Sequence, residues 1–218
     1  MEAENRDLLI EGAKMFGFHL EKEALEAFDL YLKGLLKWNQ KINLTAIRSE
    51  REIVLKHFLD SLSSFPYLLN AFSLLDIGSG AGFPGIPIKI VRPPLEVTLI
   101  DSVRKKVDFQ KYIIRVLGLK GIEAIHGRVQ EKEIVQTMEG RFDAVISRAF
   151  SNLRTLLTLS YPFLKKRGML LAMKAKVDIE ESEGLIQSEK IGYRMEKTFH
   201  FTLPHSTFKR SILLFEKE

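Results

Sequence analysis

The stretch Asp76-Ile77-Gly78-Ser79-Gly80-Ala81-Gly82-Phe83-Pro84-Gly85 follows an apolar run and holds four glycines within eight residues. Glycine lets a backbone take positive φ and lets a ligand come close to the main chain. A tight turn alone needs two or three glycines, so ligand binding is the stronger reading. Gly80 to Gly85 fits G-x-G-x-x-G, the dinucleotide fingerprint. Asp101 lies 21 residues after Gly80, where such folds place the acid that binds a ribose hydroxyl. Asp76 points away from a dinucleotide. A carboxylate at the end of the first strand faces the place a pyrophosphate would occupy, and suits a positively charged ligand such as an ammonium or sulfonium. Each acid also has a plainer use: Asp76 as a helix cap or loop brace, and Asp101 as a cap for the helix from Val103.

Other reactive side chains are few. His57, Asp60 and Ser61 share a helix face, but no G-x-S-x-G elbow accompanies them, so a hydrolase triad is a poor reading. A polar seam, where a helical cap meets a substrate cleft, fits better. His19, His126, His200 and His205 form no recognisable metal set, and no metal is expected. The chain has no cysteine, which removes disulfides, thiolate nucleophiles and cysteine-ligated metal, and favours a reducing compartment.

Local pattern supplies the elements that must position these residues. The first 70 residues read as helices: one through Leu8, Leu9, Gly12, Met15 and Phe16, a second from Glu21 to Trp38, and a third from the N-cap Ser49 to about Leu62, with Glu52 in a capping-box position. From residue 73 short apolar strands alternate with helical patterns. The strands are 73–77, 96–101, 122–126, 142–147 and 169–174. The helices are 85–91, 103–117, 130–138, 153–164 and, after the last of these strands, 179–190. Such alternation implies right-handed βαβ units and a parallel sheet. Two final strands, Tyr193–Leu203 and Ser211–Glu216, are close enough in sequence to form an antiparallel hairpin. A helical extension over 1–72 and a ligand-binding domain over 73–218 are expected.

Residues 1–72 hold 9 Lys/Arg against 11 Asp/Glu, a balance of −2, whereas residues 73–218 hold 24 against 17, a balance of +7. The α/β part is therefore the one suited to an anionic partner. Arg104, Lys105 and Lys106, and Lys165-Lys166-Arg167, are candidates to track RNA phosphates. The acidic N-terminus lacks a signal-peptide pattern and no apolar run nears the ~20 residues of a membrane span. A soluble, cytoplasmic protein without membrane partners is expected.

S-adenosylmethionine carries both an ammonium and a sulfonium, plus a ribose for Asp101, and it reconciles the glycine loop with Asp76. The terminal hairpin resembles the reversed last strand of the Class I methyltransferase sheet, a Rossmann-like, mostly parallel α/β sheet of seven strands. More specifically, Trp38-Asn39-Gln40-Lys41-Ile42-Asn43-Leu44-Thr45, Lys56-His57-Phe58-Leu59-Asp60-Ser61, the glycine loop and Ile146-Ser147-Arg148-Ala149-Phe150 resemble the ribosomal RNA small-subunit methyltransferase G family, also called glucose-inhibited division protein B. The resemblance spans about Trp38 to Lys174.

It implies an S-adenosylmethionine-dependent enzyme that methylates N7 of one guanine in 16S ribosomal RNA, acting on that RNA or on the small ribosomal subunit; a monomer is expected. It implies that the glycine loop holds the methionine part through Gly78 and the backbone near Phe83, that Asp101 takes the ribose, and that Val129 and Gln130 border adenine; Asp76, Gly80 and Gly82 are further cofactor-side candidates of the loop. Many relatives carry glutamate where Gln130 stands. Arg148 would sit beside the methyl group and the target base, with Lys174 at the end of the adjacent strand. Asn39, Asn43 and His57 are substrate-side candidates. Guanine N7 has a lone pair and no proton, so transfer needs positioning and electrostatics rather than a general base. Arg148 and Lys174 are thus orienting residues, able to reach guanine O6 or phosphate. Two other functions remain open on the residues alone: a nicotinamide-dependent oxidoreductase using the same loop, and a non-catalytic RNA-binding or ribosome-assembly protein.

Overall fold

The computed structural model describes residues 1–148, 150, 152–175 and 188–218. Its centre is a seven-stranded sheet ordered β3-β2-β1-β4-β5-β7-β6. The strands are β1 (Ser73–Ile77), β2 (Glu96–Asp101), β3 (Ile122–His126), β4 (Phe142–Arg148), β5 (Leu164–Lys174), β6 (Tyr193–Thr202) and β7 (Lys209–Lys217). The first five are parallel. β7 slots in antiparallel between β5 and β6. Central strands are apolar on both faces because both are covered. The edge strand β6 carries exposed Arg194, Glu196 and Lys197, charges that discourage further strand pairing.

Side chains alternate across the sheet, and this decides what each strand can offer. Leu74, Leu99, Ile146 and Leu171 belong to one apolar cluster. Leu75, Ile77, Ile100, Val145 and Leu170 belong to the other. The first face is covered by α1 (Ala3–Met15), α2 (Lys22–Asn39), α5 (Gly85–Val91) and α6 (Arg104–Val116), so the N-terminal helices share one core with the sheet. The second is covered by α8 (Leu153–Ser160), with Met138 of α7 (Lys132–Met138).

Ser49 starts the third helical stretch by accepting a hydrogen bond from the Glu52 N–H. The reciprocal half of the expected capping box is missing, because the Glu52 carboxylate pairs with Lys56 at 2.5 Å. The stretch has three parts: α3 (Glu50–Ile53), a π-helical segment (Val54–Leu59) and α4 (Asp60–Leu62). The expected helix 153–164 ends early. Pro162 lies in a 3-10 turn (Tyr161–Phe163), and Leu164 already pairs with Phe142, so β5 begins five residues before the expected start. Most of the expected helix 179–190 lies outside the described residues; residues 188–191 are helical. No described helix is long and apolar enough to cross a membrane.

Candidate active site

Beyond the carboxyl ends of β1, β2 and β3 lies a cavity of about 420 Å³. Gly78, Asp101, Val129 and Gln130 line it, with Ile77 and Ile100 as an apolar floor. Gly78 and Gly80 have φ of +72° and +61°, and a Cβ on either would project into open space. The loop therefore presents bare main chain, as close approach of a ligand requires. The Asp101 carboxylate fixes the loop: Oδ2 accepts from the Gly80 N–H and Oδ1 from the Val103 N–H, both at 2.8 Å. It thus caps the α6 side and lines the cavity as well, and carboxylate lone pairs remain for hydroxyls. Gln110 donates to Ser79 Oγ and the Gly80 carbonyl at 2.8 and 2.7 Å, and its Oε1 is buried without a hydrogen bond among the described residues. An acid on the rim, apolar walls and exposed loop backbone suit a nucleoside-bearing ligand such as S-adenosylmethionine.

Asp76 does not line this cavity. Its neighbours Leu75 and Ile77 face the cavity side, so alternation turns Asp76 to the opposite face of the sheet. There Oδ2 accepts from the Gly85 N–H at 2.8 Å, bracing the start of α5. Oδ1 is buried with no partner among the described residues. In this position the carboxyl braces the loop and the start of α5, its plainer expected use. Burial raises its pKa to about 7, against the opposing pull of the Gly85 N–H and of Arg148, with Asp101 adding to the rise.

A second cleft of about 280 Å³ opens beside the ends of β4, β5 and β7, walled by the π-helical segment. Arg148 reaches into it from β4. Its Nη1 donates to the Lys56 carbonyl at 2.9 Å and to Asp60 Oδ2 at 3.3 Å, its Nη2 bonds His57 Nδ1 at 3.2 Å, and the guanidinium lies over the Phe83 ring. Because a guanidinium only donates, His57 Nδ1 accepts and Nε2 carries the proton toward Thr45 Oγ1 at 2.9 Å. Burial, then the charge of Arg148, lowers the His57 pKa to about 3. The imidazole is a neutral strut with both nitrogens engaged. Lys174 donates to the Phe150 carbonyl at 2.8 Å, and Phe150 lines the first cavity, so Lys174 stands between the two.

The model of one protein family, rRNA small subunit methyltransferase G, matches residues 24–212. The chain belongs to this family. The Acetivibrio thermocellus protein named ribosomal RNA small subunit methyltransferase G is 41% identical over 99% of this chain and 90% of its own length. Among solved structures, a precorrin-6y C5,15-methyltransferase from Geobacter metallireducens GS-15 superposes with a TM-score of 0.56 at 14% identity, covering 72% of this chain and 87% of that one. The [4+2]-cyclase SpnF superposes at 0.61 with 14% identity, covering 88% and 94%. The fold is that of the Class I methyltransferases, and the cyclase shows that the sheet alone does not fix the chemistry.

In this methyltransferase G family member the residues singled out from sequence fall into two sites and some bystanders. Gly78, Asp101, Val129 and Gln130 meet in the first cavity, and His57, Arg148 and Lys174 in the second. Gly80 turns its carbonyl to Gln110, while Gly82 packs against Ile86 and Tyr31. Phe83 is buried between Tyr31 and His57, so only its backbone is available to a cofactor. Asn39 caps the following loop: Oδ1 accepts from the Leu44 and Thr45 N–H groups and Nδ2 donates to the Thr45 carbonyl. Asn43 lies beyond the end of α2, exposed, and lines neither cavity. Arg104, Lys105 and Lys106 open α6 just past Ser102 on the cavity rim, without lining it. Lys165, Lys166 and Arg167 sit in the first residues of β5, at the end of the parallel strands opposite both clefts, where Lys165 pairs with Asp143. Sequence reading missed Arg210 of β7 and Lys56, which line the second cleft, and gave Asp60 no role beyond the seam. Among the described residues no cluster of three or more His, Asp or Glu could hold a metal.

Proposed function

We propose that this chain transfers a methyl group from S-adenosylmethionine to N7 of a guanine in 16S ribosomal RNA, as a monomer in the cytoplasm. The observation that carries the reading is the pairing of an acid-rimmed, nucleoside-sized cavity with a cationic cleft, joined through Phe150 and Lys174. When bound, the cofactor supplies an electrophilic methyl group on a positively charged sulfur. Asp101 accepts from its ribose hydroxyls, the Ile100 and Val129 side chains flank its adenine, and Gln130 meets the adenine edge. Residues 1–72 act as a helical extension that walls the acceptor cleft, and residues 73–218 as the cofactor-binding domain.

Neutral guanine N7 has no proton to remove, so no general base is required, and the Asp60 carboxylate in the cleft is engaged by Arg148 and Arg210. His57, the candidate by type, is held neutral with a pKa near 3 and both nitrogens bonded. Its conjugate acid is far too strong for general-base work near neutrality. Arg148 and Lys174 act instead by orienting the base and its phosphate.

The test is incubation of unmodified small subunits, and of their naked RNA, with methyl-labelled cofactor. Label at guanine N7 is expected; cofactor binding with label elsewhere, or none, refutes the reading. Calorimetric titration with S-adenosylmethionine and with NAD accompanies it, and tight binding of NAD alone would favour an oxidoreductase.

A further inference from the structure

The second cleft holds two guanidinium groups whose hydrogen bonds are unequally committed. Arg148 is spent largely on the protein, giving Nη1 to two acceptors and Nη2 to His57. Arg210 donates from Nε to Asp60 Oδ1 at 3.0 Å and from Nη1 to the Lys209 carbonyl at 2.9 Å. Among the described residues its Nη2 has no protein acceptor, and its side chain is 16% exposed on the cleft wall.

Asp60 ties the two arginines together. It is 4% exposed and gives one carboxylate oxygen to each, reaching partners 88 and 150 positions away in sequence. The backbone beneath it is adapted to this. In a regular α-helix the Asp60 N–H would bond the Lys56 carbonyl. Here it bonds the Leu55 and His57 carbonyls, as the wider π turn dictates, and the Lys56 carbonyl receives Arg148. π-helical turns of this kind concentrate at functional sites. The segment is thus shaped as a seat for both guanidiniums.

The chemistry of the cleft constrains its occupant. Lys56, Arg148, Lys174 and Arg210 line it against the single acid Asp60. Such a wall donates hydrogen bonds. The major-groove edge of guanine offers only acceptors, O6 and N7, whereas adenine places its N6 amino donor there. With N7 kept clear for the methyl group, O6 is the atom left for an arginine. We propose that Arg210 donates from Nη2 to O6 of the acceptor purine and so selects guanine over adenine. Asp60 is the positioning residue that holds Arg210, while its other oxygen holds Arg148. This rests on the guanine-N7 reading and adds residues to it.

The experiment compares acceptor RNA carrying guanine with RNA carrying 2-aminopurine at the same mapped position, since 2-aminopurine keeps N7 and lacks O6. The wild-type protein should favour guanine in kcat/KM by about 5- to 150-fold, the range for one good base-edge contact. In Arg210→Ala that preference should collapse toward one. Asp60→Asn should move it the same way by a smaller factor, mainly through KM for RNA. Cofactor affinity measured by calorimetry should stay within about twofold of wild type in both variants, showing that they are folded. A preference retained in full by Arg210→Ala overturns the inference and leaves the guanine-N7 reading standing. A wild-type protein that labels no guanine N7 overturns both.

Discussion

Replacing Asp76 with asparagine isolates a titration that the fold imposes. Asp76 is fully buried, keeps one oxygen unpaired among the described residues, and has its pKa raised from 3.8 to about 7, first by loss of water and partly offset by the Gly85 N–H. The unfolded chain loses this proton near pH 4, while the folded protein keeps it to about pH 7. Between those values the native state binds more protons, so this group makes stability fall as pH rises, levelling above pH 7. Each pH unit in the window is worth about 1.4 kcal/mol, so the full effect reaches about 4 kcal/mol. Asparagine has nearly the same shape, can still accept from the Gly85 N–H and does not titrate. Urea unfolding of wild type and Asp76→Asn, run in parallel from pH 4 to 8, cancels the other groups in the difference. Wild type should lose up to about 4 kcal/mol relative to the variant across that range. A difference that stays flat across it would refute the assignment of Asp76 to a dry, unpaired site.

His57 carries the opposite sign. Its folded pKa near 3 lies below the ordinary 6.5, so stability is lost as pH falls below about 6.5, and His57→Gln should flatten the urea midpoint between pH 5 and 7. Gly82→Ala should destabilise by about 2–4 kcal/mol in chemical denaturation. The backbone there has φ +97°, and a Cβ would sit 2.4 Å from Ile86 Cδ1 and 2.8 Å from the Tyr31 hydroxyl. Asp101→Ala should weaken S-adenosylmethionine binding at least roughly tenfold by calorimetry, because it removes the ribose acceptor and frees the Gly80 and Val103 N–H groups that shape the loop. Unchanged affinity would mean that Asp101 only caps.

What was legible in the sequence came from short-range signals. Short apolar-rich runs broken by helical periodicity mark β1 to β5, most strongly in the central strands that are buried on both faces. The glycine loop announces itself because only glycine takes the left-handed conformation at Gly78 and Gly80 without strain. Its spacing to Asp101 holds because β2 lies beside β1 in parallel register. The start of β5 was less legible, since the pairing of Leu164 with Phe142 overrides the helical spacing of 153–164.

The sequence by itself determined the alternating sheet, the ligand loop and the family likeness, since each is written in neighbouring residues. Tertiary structure alone decided which face each side chain serves. It turned Asp76 away from the cavity lined by Asp101 to the base of α5, because strand alternation places it opposite Ile77. It set Arg210 beside Asp60 across 150 residues. That pairing depends on β7 entering the sheet next to β5 and on a π-helical turn, two features with no local sequence signature.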